Sequence, residues 1–215
     1  MIGVVVILNL AAAASAIIEV DATSSGVTTE DSIALTHQTS GENRLMLVGI
    51  SYTVEGTGRN VKSVTYDGIP LNPIGEFTFT NDTRLHIFEL IAPPETTADV
   101  VVTFTQRLNH GGVVGVVTLT GVNQATAHGA FVASVTGNAE IPSAVDELVF
   151  ATVVAKDAII NPKDQQTLLW NLSSKTARGA ASTKPGAESV TMPWSGIQEG
   201  SVGAVSIKPT NDETK

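Results

Sequence analysis

The spacing of apolar residues after the N-terminal segment most constrains what this chain folds into. From Ile17 onward, short apolar or alternating runs are broken by glycine, proline, asparagine and aspartate. No stretch after Val20 keeps a helical period of apolar residues over three turns. Short alternating runs between turn residues are typical of β-strands. We therefore predict an all-β fold: a two-sheet β-sandwich or jelly roll with an apolar N-terminal extension.

Turn signals and apolar runs together place the individual strands. The clearest hairpin is at Asp67-Gly68, because this dipeptide tolerates the positive φ angles of a two-residue turn. The predicted strands are residues 17–22, 32–37, 44–53, 61–66, 69–74, 85–92, 99–105, 112–119, 130–135, 147–155, 167–171, 188–193 and 201–208.

Three of these runs are almost continuously apolar. They read GVVGVV at residues 112–117, LVFATVV at 148–154 and VGAVSI at 202–207. A strand that lacks alternation has no face in water. We expect these strands either to be central and covered on both faces, or to be edges that another subunit covers.

Composition narrows the classes of partner. Only 15% of the residues are charged, compared with about 25% in ordinary soluble domains, which suggests that some apolar surface is shared with a partner. The 21 acidic and 12 basic residues give a formal charge of -9, which argues against a nucleic-acid partner. The chain has no cysteine, so disulfides, thiolate zinc sites and cysteine nucleophiles are excluded.

Residues 1–20 read MIGVVVILNLAAAASAIIEV and have three interpretations. A secretory signal peptide would use residues 2–10 as its apolar core and 11–16 as its cleavage region, but the usual positive charge is missing. A membrane helix would be near the lower limit of about 17–25 residues, with no lysine or arginine before Arg44 to anchor it. The third interpretation is an assembly segment that is buried between subunits.

We favour the assembly interpretation, with residues 1–20 as the assembly segment and residues 21–215 as the β-sandwich domain. The segment is either a helix in a filament core or a strand donated to the next subunit's sheet. The β-branched residues 4–7 favour a strand and alanines 11–14 favour a helix, so both stay open. The candidate subunit-interface residues are Ile2, Val4, Val5, Val6, Ile7, Leu8, Leu10, Ile17 and Ile18.

The order of short motifs carries a resemblance. The motifs are SGENRLMLVGISY (40–52), VKSVTYDGIPL (61–71), LHIFELIAPP (85–94), ADVVVTF (98–104), VVGVVTLTGVNQ (113–124), DELVFATVVA (146–155), QTLLWNL (166–172), KPGAESVTMPW (184–194) and GAVSIKP (203–209). In this order they resemble a β-sandwich module of large secreted and surface proteins of environmental bacteria and archaea. The resemblance covers residues 40–209 and implies an extracellular location and a structural or adhesive role. Here the module follows an apolar segment, which favours self-assembly.

The sequence shows none of the common catalytic signatures. It has no G-x-S-x-G elbow, no phosphate-binding or dinucleotide-binding glycine loop and no calcium loop. No two histidines lie two, three or four positions apart, as local metal ligands often do; they are His37, His86, His110 and His128. We therefore expect no enzyme activity, no cofactor and no metal site.

A pair of catalytic carboxylates is the remaining enzymatic possibility. The candidates lie in no recognisable context; they are Glu76, Glu89, Asp146 and Glu147. Glu89 belongs to an alternating strand, where an outward, solvated carboxylate is the simpler expectation.

Aromatic and asparagine residues give the candidate surface sites. Trp170 lies in an apolar run and is expected in the core, whereas Trp194 follows Met192-Pro193 near a turn and is the better candidate for exposure and for stacking on a sugar. Asn81 and Asn171 match the N-x-[ST] pattern and are candidate glycosylation sites.

The expected function is a structural subunit of an extracellular filament, pilus-like fibre or surface assembly. Its partners are then copies of itself, joined through the apolar N-terminal segment. The alternative is a cell-surface carbohydrate-binding or adhesive β-sandwich module, with surface glycans as its ligands. A hydrolase on a jelly-roll scaffold has the least support, since a fold alone does not imply chemistry.

Overall fold

A computed structural model describes residues 16–56, 58–80 and 82–210 of the chain. Throughout these ranges the chain forms strands, turns and loops without a helix, so the predicted all-β fold is confirmed. Among these residues there is no helix with the length and apolar character needed to cross a membrane. The predicted interface residues between Ile2 and Leu10 lie outside the described residues.

Seventeen strands follow one another along the described residues. They are β1 (Glu19–Thr28), β2 (Ser32–Gln38), β3 (Leu45–Thr53), β4 (Val61–Tyr66), β5 (Ile69–Pro70), β6 (Asn72–Phe79), β7 (Thr83–Ile91), β8 (Thr97–Phe104), β9 (Gly112–Thr120), β10 (Val132–Ser134), β11 (Asn138–Pro142), β12 (Leu148–Lys156), β13 (Asn161–Pro162), β14 (Thr167–Ser174), β15 (Ala177–Pro185), β16 (Ser189–Ser195) and β17 (Gly200–Ile207).

The strands form four antiparallel sheets. Inner sheet 1 has the order β1-β9-β3-β7-β6, and outer sheet 1 has the order β2-β8-β4-β5. Inner sheet 2 has the order β10-β17-β12-β15-β14, and outer sheet 2 has the order β11-β16-β13. Strands β1–β9 thus make a first sandwich and β10–β17 a second, so the predicted sandwich architecture is present twice.

Three apolar cores show that the sheets are stacked in four layers. One core lies between the sheets of the first sandwich and another between the sheets of the second. The third, which we call the central core, joins the two inner sheets. Its side chains include Leu47, Ile87, Val117, Phe150, Val154, Trp170 and Val205.

This stacking explains the continuous apolar runs. Along β3, Leu45 and Leu47 face the central core, while Met46 and Val48 face outer sheet 1. Every residue of β3 and β17 is buried, and β9 and β12 are buried except at their ends. The prediction that these runs form central strands covered on both faces is confirmed for β9, β12 and β17.

The two sandwiches repeat one topology. The order β1-β9-β3-β7-β6 in inner sheet 1 becomes β10-β17-β12-β15-β14 in inner sheet 2. The registers also agree: Leu45 pairs with Leu119 where Leu148 pairs with Ile207. A bulge after Pro73 in β6 recurs after the corresponding Leu168 in β14.

A short sequence similarity accompanies the repeated topology. Strand β9 begins GVVGVVTL and the corresponding β17 begins GSVGAVSI, with glycine and valine identical at four of the eight positions. Gly115 of β9 and Gly203 of β17 therefore occupy equivalent places in the two sandwiches. The described part of the chain thus contains an internal repeat, in which the order of the strands in the inner sheets, their pairing registers and one bulge recur.

Turn chemistry sets two of the strand boundaries. Asp67 and Gly68 have φ angles of 50° and 77° and connect β4 to β5, which confirms the predicted hairpin. The predicted strand 69–74 is divided, because the chain leaves outer sheet 1 after Pro70 and enters inner sheet 1 at Asn72.

Glycines in the inner sheets make room for large rings in the central core. A Cβ atom on Gly115 would lie 2.1 Å from the Trp170 ring, and one on Gly49 would lie 3.0 Å from it. On the repeated position in the second sandwich, a Cβ on Gly203 would lie 2.8 Å from the Phe131 ring. The central core is therefore packed by rings seated directly on backbone.

We predict that Gly115→Ala destabilises the protein by about 1–3 kcal/mol, because the added methyl overlaps a ring held in a packed core. Urea unfolding followed by tryptophan fluorescence measures the change. The matched control is Gly129→Ala, whose added Cβ meets its nearest atom, the Ser206 carbonyl oxygen, only at 3.9 Å. Equal stability of the two variants would show that Trp170 does not lie against Gly115.

Candidate functional site

Two surfaces of the molecule are candidates for function, and the first is where the apolar N-terminal segment joins the sandwich. Of the predicted interface residues, Ile17 and Ile18 are described. Ile17 leaves 80% of its side chain exposed, whereas Ile18 packs against the central core. The backbone N–H of Ala16 donates to the carbonyl of Thr210 at 3.1 Å. The N-terminal segment therefore joins the first sandwich next to Thr210, the last described residue.

The surface around this point is mainly apolar, with the carboxylates of Asp146 and Glu147 beside the apolar side chains. A groove of about 270 Å³ is lined by both isoleucines and by residues of the loop before β12 and the end of β15. Val145 in that loop is 79% exposed. We call this surface the entry patch; its apolar members are Ile17, Ile18, Val145, Leu148 and Pro185.

The strand that continues from the entry patch lies at a sheet edge. Strand β1 pairs with β9 on one side and ends inner sheet 1 on the other. Its Val20 and Val27 are 42% and 47% exposed. In the described part of the chain no other strand pairs with this edge, and an edge strand with exposed valines is suited to pairing with a further strand.

The second candidate surface is a groove of about 670 Å³ between two edges of the first sandwich. We call it the β4–β6 groove. One wall comes from the start of β4, the other from β6, and the floor from β7. The lining residues are Asn60, Val61, Lys62, Pro73, Ile74, Gly75, Glu76, His86 and Phe88.

A buried histidine connects the floor of this groove to the core. The His86 ring stacks on Tyr52, with centroids 5.7 Å apart and planes within 8°, and it also stacks on Phe88. Its Nε2 lies 3.2 Å from the Tyr52 hydroxyl, and its Nδ1 lies 3.4 Å from Oε2 of Glu76. Nearby, the guanidinium of Arg84 donates to the side-chain oxygen of Asn60.

Burial controls the ionisation of this cluster. Desolvation, reinforced by the positive charge of Arg84, lowers the pKa of His86 to about 4. Desolvation also raises the pKa of Tyr52 to about 12. Although Glu76 lies within ion-pair distance, the imidazole is therefore neutral at pH 7, and the contact between them is not a salt bridge.

The second sandwich lacks this cluster at the equivalent positions. Ala180 pairs with Asn171 where His86 pairs with Glu76, and Ala155 pairs with Gly200 where Tyr52 pairs with Gly112. Alanine thus replaces both rings, and asparagine replaces the carboxylate. The side chain of Asn171 donates to the carbonyl of Ile160 at 2.7 Å, which ties the two edges together.

The carboxylates considered from the sequence are dispersed. The expectation that Glu89 is solvated is wrong: it is 9% exposed, because His128 approaches it from the connection between the sandwiches, with Nε2 3.4 Å from Oε1. Glu147 accepts hydrogen bonds from Ser143 and Ser206. The described residues hold no group of three or more histidine, aspartate or glutamate side chains placed to bind a metal ion.

The other histidines have structural contacts. His37 is buried and its two ring nitrogens lie 2.9 Å from the Ser24 hydroxyl and 2.8 Å from the Thr118 hydroxyl, which ties β2 to inner sheet 1. His110 lies 3.5 Å from Glu55 at the surface.

The tryptophans are both in cores. Trp170 is 5% exposed, as expected from its apolar run. The expectation that Trp194 is exposed is wrong, because it is 4% exposed and packs between the sheets of the second sandwich. Tyr52 and Tyr66 are fully buried as well. None of these four rings offers a flat surface for a sugar.

The candidate glycosylation sites stay predictions. Asn81 lies outside the described residues. Asn171 is exposed on β14, and its amide donates the hydrogen bond that crosses to Ile160. A glycan on that nitrogen would have to replace this bond.

No family model matches the chain, and no curated protein is significantly similar to it in sequence. The resemblance to surface β-sandwich modules therefore stays an expectation. The two surfaces described above are the basis for any functional proposal.

We predict three distinct histidine titrations by NMR. The pKa of His86 lies near 4, that of His37 lies below 6.5 because of burial, and that of His128 lies above 6.5 because of its hydrogen bond to Glu89. Glu89→Gln should bring the His128 pKa back toward 6.5, while Glu76→Gln should leave it unchanged. A His86 pKa at or above 6.5 would contradict its burial.

These pKa shifts act on stability in opposite directions. Unfolded histidine titrates near pH 6.5. The contribution of neutral His86 to the free energy of unfolding is therefore fully present above pH 6.5. As the pH falls toward 4, the free energy of unfolding decreases by about 3 kcal/mol, because the buried ring does not take up the proton that the unfolded chain binds. The contribution of His128 is present below pH 6.5 and is lost as the pH rises through its raised pKa. We predict that His86→Ala flattens the loss of stability between pH 6.5 and 4, measured by urea unfolding.

Proposed function

We propose that this protein is a structural subunit of an extracellular filament, pilus-like fibre or surface assembly, and that it polymerises through its apolar N-terminal segment. The observation that carries the proposal is the entry patch. Ile17 and Val145 each expose about four-fifths of their side chains at the point where the apolar segment joins the body. An apolar segment and an apolar patch in continuity indicate a surface that another molecule covers.

The free energy available from residues 1–20 is sufficient to drive association. Burying each large apolar side chain contributes about 1.5–3 kcal/mol. Residues 1–15 hold eight valine, isoleucine, leucine and methionine residues, not counting Ile18 and Val20, which belong to the subunit's own fold. Their burial contributes about 12–24 kcal/mol, compared with the roughly 4–15 kcal/mol that association costs in lost translational and rotational freedom.

The edge strand supports one route of assembly. Strand β1 continues directly from the entry patch, and within the described residues no further strand pairs with its outer edge in inner sheet 1. In this route, the apolar segment of one subunit occupies the entry patch and the β1 edge of the next. Backbone hydrogen bonds would add affinity, and the alternate side chains would set the register.

We predict that deleting residues 1–15 abolishes assembly and leaves a folded monomer. This deletion spares Ile18, which packs against the central core, and β1, which begins at Glu19. Electron microscopy should show fibres or layers for the full chain, and analytical ultracentrifugation a single small species for the truncated one. Circular dichroism should be the same for both.

A surface variant of the full chain separates the patch from the segment. Ile17→Ser with Val145→Ser should weaken assembly, whereas Ile159→Ser, at an 85% exposed isoleucine outside the patch, should leave it unchanged. Fibres formed equally well by the truncated chain would contradict the mechanism. Two further results together would also contradict it: mass spectrometry that shows a mature chain beginning near Ile17, and sedimentation of that chain as single particles.

The alternative function is a surface carbohydrate-binding or adhesive module. The β4–β6 groove favours it, because polar side chains lie among apolar ones in its walls and floor. The buried tryptophans and tyrosines remove ring stacking on those residues as its basis.

A further inference from the structure

The internal repeat provides a comparison within one molecule. Both sandwiches have the same strand order and registers, yet the first buries a tyrosine and a histidine where the second has alanines. His86 is 8% exposed, and burying an imidazole costs more than burying a methyl group. Since the second sandwich folds without these rings, the topology does not require them. These two rings are therefore candidates for a role other than specifying the fold.

The same comparison shows a difference between the two repeats at the groove. In the second sandwich, Asn171 of β14 bonds directly to the carbonyl of Ile160, just before β13. In the first sandwich, the equivalent Glu76 does not reach across: it is exposed and faces His86 instead. A side chain therefore bridges the two edges in one sandwich, whereas a groove of about 670 Å³ lies between them in the other.

A brace that both sandwiches share supports this interpretation. Arg84 bonds to Asn60 in the first sandwich, and the equivalent Arg178 bonds to the carbonyl of Ala158 in the second. The arginine thus holds the end of the loop in both repeats. What differs is the group at the opening, which is a carboxylate and a histidine in one repeat and a bridging amide in the other.

The chemical groups that line the groove indicate which kind of ligand it would bind. Glu76 supplies acceptor oxygens, while Lys62 and Asn60 supply donors. Among the lining residues, Glu76 and Lys62 carry opposite charges and the neutral imidazole adds none, while the Arg84 guanidinium lies behind Asn60, to which it donates a hydrogen bond. Apolar wall and floor atoms lie between them, from Val61, Pro73, Ile74 and Phe88. The volume is that of ordinary small-molecule sites, which are about 300–1,000 Å³.

We propose that the β4–β6 groove binds a neutral, polyhydroxylated ligand of the size of one or two sugar rings. The hydroxyl groups bond to Glu76, Lys62 and Asn60, and the C–H face of the ring packs on Phe88 and Pro73. His86 and Tyr52 position Glu76 from below. The proposal deepens the alternative function and is independent of assembly through the N-terminal segment.

The test is saturation-transfer difference NMR on the full chain, which works for monomers and for assemblies. The probes are the methyl glycosides of glucose, galactose, mannose and N-acetylglucosamine, at concentrations up to about 20 mM. We expect saturable binding of at least one of them, with millimolar affinity. The ring C–H protons that face Phe88 should receive the strongest signal.

Paired variants test the site itself. Glu76→Asn introduces the residue of the second sandwich and should weaken binding at least about tenfold, because it removes hydrogen bonds to a charged acceptor. The matched control, Asn171→Ala, lies at the equivalent exposed position and should leave binding unchanged. Circular dichroism confirms that both variants fold.

Three results would overturn the proposal. They are no saturable signal from any of the four glycosides, unchanged affinity in Glu76→Asn, and binding only of charged probes such as methyl glucuronide or glucosamine. Electron microscopy of the same samples reports assembly separately. Failure of glycoside binding and failure of the assembly mechanism are therefore distinguishable.

Discussion

The packing of the two inner sheets against each other is the interaction on which the rest of the structure depends. Strands β3, β9, β12 and β17 are apolar on both faces, so each sandwich alone would expose one face of its inner sheet to water. The central core removes that exposure, and it does so at close range. Trp170 from inner sheet 2 lies against the backbone at Gly115 of inner sheet 1. Two repeats of a small sandwich thus become one stack of four layers.

The sequence predicts the parts of this fold that depend on local pattern. Strands β9, β12 and β17 are apparent because burial on both faces requires an unbroken apolar run. Strand β15 is missed because its buried positions hold Gly179 to Ser182, and small residues carry little strand signal. Glu89 is misjudged because its partner, His128, is distant in the sequence. The β4–β6 groove likewise depends on contacts between β4, β6 and β7 that no local motif encodes.

The repeat itself is nearly invisible in the sequence. Beyond the GVVGVVTL and GSVGAVSI strands, the equivalent positions hold chemically different residues, such as Tyr52 and Ala155. Register and a shared bulge reveal the repeat because backbone pairing is more constrained than side-chain identity. Once the repeats are aligned, their differences become informative. A residue present in one repeat and absent from the other is not needed for the topology that both share.

The positions of the two candidate surfaces bear on how they would work together. The entry patch continues into β1, which is one edge of inner sheet 1, while the β4–β6 groove lies at β6, the opposite edge. Four strand spacings of about 4.8 Å separate these edges, so a strand paired with β1 does not itself reach the groove. An assembly joined through the N-terminal segment would then present one open groove on each subunit. Many weak sites on one polymer bind a repeating surface far more tightly than a single site does. Assembly and glycan binding are therefore compatible on this chain, and a millimolar site would be sufficient for adhesion once the subunits are joined.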